Sequence, residues 1–147
     1  MSVAFRRESD EEHLEPRFEL PIPPGPNLVT PRGLALIHAR IAELEAALAI
    51  AAEDGREAIA RDLRYWRTRR ATATLAPPPP EDEVAFGSRV RIRMKGRERV
   101  IEIVGDDETD PAAGRVAFSA PLARALIGAM EGDEIGFGDG IELLEIL

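Results

Sequence analysis

In the stretch AAEDGREA, Ala51 to Ala58, the residues Glu53, Asp54 and Glu57 put three carboxylates and a glycine where one apolar helical pattern stops and another begins. Carboxylates gathered at a chain reversal are either a working acidic tip or the solvated turn of a helical hairpin. A second charged feature is RVRIRMKGRER, residues 89–99, with six basic groups and one acid. Arg89, Arg91, Arg93 and Lys95 share one face there, because side chains alternate along a strand. Such a face suits a contact surface for phosphate or an acidic protein, or an exposed face protected by charge. No aromatic residue interleaves the arginines to stack on bases. A further basic group, Arg61, Arg64, Arg67, Arg69 and Arg70, flanks the second apolar pattern. The acidic run GDDETD, residues 105–110, lacks the glycine and the distant glutamate of a calcium loop and reads as a solvated turn.

The totals narrow the chemistry. Without cysteine, disulfides, thiolate metal sites and cysteine nucleophiles are excluded. His13 and His38 have no second ligand at metal spacing. No glycine-rich phosphate loop, nucleophile elbow or zinc-protease helix is present. The expectation is a binding protein and not an enzyme, with no catalytic residues, no metal and no cofactor of its own. Nineteen basic and 27 acidic side chains give a net charge of −8, which argues against coating nucleic acid by charge alone. MSVAFRRESDEEHLE turns acidic at once, unlike a signal peptide. No segment approaches the roughly 18 apolar residues of a membrane span. A soluble, cytoplasmic protein is expected.

These groups must be positioned by three pieces of chain. Residues 1–29, with three basic and six acidic groups and ending in proline-rich sequence, read as a disordered or extended arm. Residues 30–76 read as an antiparallel helical hairpin. Thr30-Pro31 is an N-cap and first-turn pair, and Leu34, Ile37, Ile41, Leu44 and Leu48 follow at spacings of three and four. After a break at Asp54-Gly55 the pattern resumes in Ile59, Leu63 and Trp66. Residues 77–83 read as a stiff proline-rich linker. Residues 84–147 read as strands with one short helix, PLARAL. A turn at Lys95-Gly96 joins the first two strands and Asp139-Gly140 the last two. The fold class is α+β, a hairpin plus an antiparallel sheet.

The order of these pieces is itself informative. A hairpin opened by VTPRGL, then DEVAFGSRV, then VGDDETDPAAGRVAFSAPLARALIGAMEGDEI, resembles the Gre family of bacterial transcript-cleavage factors, GreA and GreB, and their Rnk relatives. The resemblance covers about residues 28–147. It is most specific in Phe86-Gly87, in Val104 through Glu108, and in Pro121 through Gly128 with Glu131-Gly132-Asp133. It implies an N-terminal coiled coil and an FKBP-like C-terminal domain, without prolyl isomerase activity. It also implies bacterial RNA polymerase as partner, gripped at the rim of the secondary channel partly through positions matching Ser119, Ala120 and Pro121. Of these only Pro121 keeps the usual residue: Ser119 stands for an acid or amide, and Ala120 for serine.

Family members that stimulate cleavage carry a tip pattern like D-L-S-E-N, which AAEDGREA does not match. Several turns of each arm are also missing, and at about 5.4 Å per turn side-chain reach cannot replace them. Geometry comes before pKa for a catalytic carboxylate, so Glu53, Asp54 and Glu57 carry over no role. The expectation is a monomeric elongation regulator without efficient cleavage stimulation, meeting nucleic acid only indirectly in the elongation complex. Two alternatives are a prolyl isomerase using Phe86, Phe118 and Phe137, and a polymerase-independent adaptor that binds through the basic strand.

Overall fold

Along RVRIRM the apolar residues fall on one side, and this alternation builds the C-terminal sheet. The computed structural model describes residues 19–147, so the expectation for residues 1–18 lies outside it. Strand β3 (Arg89–Met94) turns through Lys95-Gly96 into β4 (Arg97–Val104). Lys95 has φ 54° and Gly96 φ 76°. Two consecutive positive values make the tight hairpin turn whose twist matches the strands it joins.

Five strands form the sheet in the order β5-β4-β3-β7-β6, with β5 at Arg115–Ala117, β6 at Glu134–Ile135 and β7 at Ile141–Ile146. All neighbours are antiparallel except β4 and β5, which run parallel. The sheet is therefore mixed where a wholly antiparallel one was expected. A parallel partner needs a crossover, and here 3-10 turns at Asp106–Glu108 and Pro111–Ala113 supply it. Helix α3 (Pro121–Leu126) covers the apolar side. Val90, Ile92, Ile101, Ile103, Leu126 and Leu143 are fully buried there, with Val84 and Ala123 beside them. Each large aliphatic group contributes roughly 1.5–3 kcal/mol on burial.

The described chain divides into two packed units, residues 19–24 with His38–Ala71, and Gly25–Ile37 with Thr72–Leu147. The first unit holds most of the hairpin. Helix α1 (Pro31–Ile50) ends at a two-residue reversal, Ala51–Ala52, and α2 (Glu53–Thr72) returns. Arg56 reaches Leu48 and Arg67 reaches Glu45, so partners fall along α1 as numbers rise along α2. Ile41, Leu44 and Leu63 are the buried aliphatics of this seam. Gly55 lies inside α2, whereas the sequence reading placed the reversal there. A helical glycine costs only about 1 kcal/mol relative to alanine, and Glu53 and Asp54 favour a helix start by lying at the positive end of its dipole.

In the second unit the hairpin's two ends are tied. Strand β1 (Leu28–Val29) pairs in parallel with β2 (Thr74–Leu75), and Asn27 Nδ2 donates to Thr72 Oγ1 at 3.0 Å. Leu28 and Val29, read as the end of an arm, are thus a strand. Among the described residues no helix is long and apolar enough to cross a membrane.

Candidate functional site

Glu53 and Asp54 occupy the first turn of α2 and Glu57 the second, all three exposed. Glu57 Oε2 accepts from Arg64 Nη2 at 3.3 Å, so it is drawn along α2 rather than to the reversal. The carbonyl of Leu48, near the end of α1, accepts from Ala51 N at 3.4 Å and from Arg56 Nη1 at 3.0 Å, a cation completing a helix C-terminus. Beside the reversal, Ile50 is 87% exposed.

The basic residues do not form an uncompensated strip. Arg93 donates to Glu142 at 2.7 Å and to Glu98 at 3.3 Å, and Arg91 to Glu145 at 2.5 Å. The acids stand on the strands either side of β3, making a cross-strand lattice of opposite charges. Arg89 and Lys95 are exposed at the two ends of this row. On the hairpin, Arg67 pairs with Glu45 at 2.9 Å. Arg64 takes Glu19 in a two-pronged bond at 2.7 and 2.8 Å. That bond, then Glu57, raises the Arg64 pKa, and Arg64 in turn holds Glu19 below the usual carboxylate range.

Ser119, Ala120 and Pro121 lie at the entrance to α3. Ala120 is the capping residue, without a side-chain bond, and Pro121 takes the first turn, where a missing N–H costs nothing. Ser119 and Pro121 are exposed. Ser119 Oγ donates to Asp106 Oδ1 at 2.7 Å, which brings the acidic run to the same surface. Ile127 and Met130, which follow α3, are exposed apolar residues.

The acidic run is not wholly a solvated turn. Glu108 is 4% exposed. Its Oε1 accepts from Thr30 Oγ1 at 2.5 Å, and its Oε2 from Arg32 Nε at 2.6 Å. Thr30 Oγ1 accepts in turn from Gly33 N at 3.0 Å. The carboxylate therefore closes over the first turn of α1, where helix N–H groups and dipole favour negative charge. Arg32 also meets Glu102 at 2.7 Å, and its pKa is raised by Glu102 first and by Glu108 as well.

A cavity of about 550 Å³ opens beside this clasp, walled by Pro31, Leu75, Pro77, Pro79 and Phe86, with Arg32 and Glu102 at its polar side. The proline linker is thus packed against the C-terminal unit, and Pro79 lies over Gly87. Of the three phenylalanines proposed for an isomerase pocket, Phe86 alone lines this cavity. Phe118 meets Phe86 edge to face at 5.3 Å, and both Phe118 and Phe137 pack on the buried core.

Residues 79–146, just under half of the chain, match the family model for the C-terminal domain of transcription elongation factors GreA and GreB. A GreB transcription elongation factor of Neisseria meningitidis is 40% identical over 95 residues, covering 60% of this chain and 58% of that protein. A GreA of Vibrio parahaemolyticus is 41% identical over 81 residues, covering 54% and 52%. Residues 79–146 are thus similar to the C-terminal domain of GreA/GreB elongation factors. The chain spans a little over half the length of these relatives. Among solved structures, a GreA/GreB elongation factor from Nitrosomonas europaea is matched over 84% of this chain and 98% of that one, at 23% identity with a TM-score of 0.40.

Within residues 79–146, the sequence motifs that carried the resemblance acquire physical reasons. A Cβ on Gly105 would meet the Leu28 carbonyl oxygen at 2.4 Å, so only glycine fits beside β1. Glu108 is the acid of the α1 clasp. Sequence reasoning missed that clasp, although TPRG and GDDE were both noted. A carboxylate 78 positions away cannot be assigned to a helix cap from spacing alone.

Proposed function

We propose that this protein is a GreA/GreB-type regulator of transcription elongation that docks on bacterial RNA polymerase near the secondary channel and does not stimulate transcript cleavage efficiently. The observation that carries the reading is the Gre-type domain over residues 79–146. The exposed entrance to α3, with Pro121 at its first turn and Ser119 bonded to Asp106, supports a docking role for Ser119, Ala120 and Pro121. The protein acts as a monomer in the cytoplasm, needs no cofactor, and meets nucleic acid only through the elongation complex.

The cleavage half of the proposal is supported by the hairpin. Each helix has 20 residues, about 30 Å of rise. Glu53, Asp54 and Glu57 lie in regular helix after the reversal, and Glu57 is paired with Arg64. A magnesium-holding tip requires carboxylates presented together to a metal, as in the D-L-S-E-N pattern of cleavage-competent members, which this reversal lacks. The test of docking is association with purified core RNA polymerase at low salt and competition with a full-length Gre factor. Co-elution and mutual displacement are expected. Absence of any association would reject the reading.

A further inference from the structure

Strand β4 is longer than its outer neighbour. It pairs with β3 from Arg97 to Glu102, whereas β5 covers only Glu102–Val104. The backbone groups of an antiparallel strand point alternately toward the partner and away from it. Glu102 N donates outward to the Gly114 carbonyl, so Val100 and Glu98, at the same parity, also direct their N–H and C=O away from β3. Gly114 lies against the Val100 carbonyl oxygen. Beyond it, the Val100 N–H and both backbone groups of Glu98 form an open sheet edge among the described residues. Such an edge is a template on which an extended chain adds a strand.

The side chains select the occupant. Arg99 stands opposite Ile92, and Arg97, two positions away, shares its side of the sheet. Both arginines are exposed, and neither has an acidic partner among the described residues. On the other side Glu98 is held by Arg93 and Arg91, and Val100 is 40% exposed. A second copy of this edge is a poor partner in every two-fold antiparallel register, because like charges opposite one another are destabilising. Bonding Glu98 to Glu98 sets Arg97 against Arg99, and bonding Glu98 to Val100 sets Arg99 against itself. Bonding Val100 to Val100 sets Glu98 against Glu102. We propose that this edge accepts, as an added antiparallel strand, an extended acidic segment of a partner protein, with acids at alternate positions opposite Arg97 and Arg99 and an apolar residue opposite Val100. Charge complementarity favours this occupant, since Arg91 and Arg93 are already answered within the sheet. The inference stands apart from the polymerase reading.

The probe is a capped peptide containing Val-Glu-Thr-Glu, titrated into the full chain and followed by amide NMR. Shifts are expected to concentrate at Arg97–Val100, with slowed hydrogen exchange at the Glu98 and Val100 N–H groups in the saturated complex. Methylating the threonine nitrogen of the peptide removes its donor to the Glu98 carbonyl at unchanged charge, and should abolish binding. Arg97→Glu with Arg99→Glu, both at exposed positions, should weaken the unmodified peptide about tenfold or more. No response at this edge, shifts centred elsewhere, undiminished binding of the methylated peptide, or an equal response to a single-stranded oligonucleotide of the same charge would overturn the proposal.

Discussion

Thr30 and Glu108, 78 positions apart, share a buried hydrogen bond of 2.5 Å that joins the first turn of α1 to the turn following β4. The threonine oxygen also caps Gly33 N, so one hydroxyl serves the helix and the carboxylate together. Thr30→Ala removes a cap, about 1 kcal/mol, and leaves Glu108 short of a donor, about 1–3 kcal/mol. The expected loss is about 2–4 kcal/mol in denaturant unfolding, with Thr30→Ser close to the parent. An unchanged midpoint in Thr30→Ala would show that the clasp contributes nothing.

Gly105 and Gly33 give a paired prediction. Gly105 has φ −74°, which any residue adopts, so its need for glycine is purely the backbone oxygen of Leu28 at 2.4 Å from a Cβ. A Cβ on Gly33 would meet the Glu108 carboxylate at 2.7 Å, a side-chain neighbour, and would gain helix propensity. Gly105→Ala is therefore expected to cost about 1–3 kcal/mol or more by overpacking, and Gly33→Ala less. Thermal unfolding of the two variants ranks them.

What the sequence made legible, and what it hid, follows the range of each interaction. The Thr30-Pro31 start of α1, the alternation of Val90 and Ile92 with arginines, and the Lys95-Gly96 turn are local, and each is found where its pattern put it. The hairpin's reversal was misplaced because Ala51–Ala52 carry no turn signal while Gly55 does. Strands β1 and β2, of two residues each, exist only through pairing with one another. The glutamates that answer Arg91 and Arg93 come from β7 as well as β4, which requires the strand order to be known. Ser119, Ala120 and Pro121 were marked by resemblance, and the bond from Ser119 to Asp106 by structure alone.

Glu19 gives a pH signature. Its pKa is lowered from 4.5, chiefly by Arg64, so the pair's contribution is complete above about 4.5 and is lost as pH falls through the lowered value. Neutral pH leaves the tie intact. A carboxyl titration by NMR should place Glu19 below the ordinary glutamate range, and Arg64→Gln should return it there. An ordinary pKa in the parent protein would mean that the tie does not persist in solution.

The proposed docking face and the basic face can be separated by substitution. Pro121→Ala is expected to weaken polymerase association about tenfold, or 1.4 kcal/mol. Arg91→Glu with Arg93→Glu places like charges beside Glu142, Glu145 and Glu98, and should disturb stability modestly while leaving docking within about threefold. The reverse ranking in a polymerase binding titration would identify the basic strand as the partner surface.

The most direct measurement is transcript shortening in backtracked elongation complexes with magnesium, at protein concentrations that saturate polymerase binding. The proposed docking without a metal-holding tip predicts shortening no faster than polymerase alone, together with inhibition of an added full-length cleavage factor. Shortening comparable to that produced by the full-length factor would contradict it, and would return Glu53, Asp54 and Glu57 to a catalytic role.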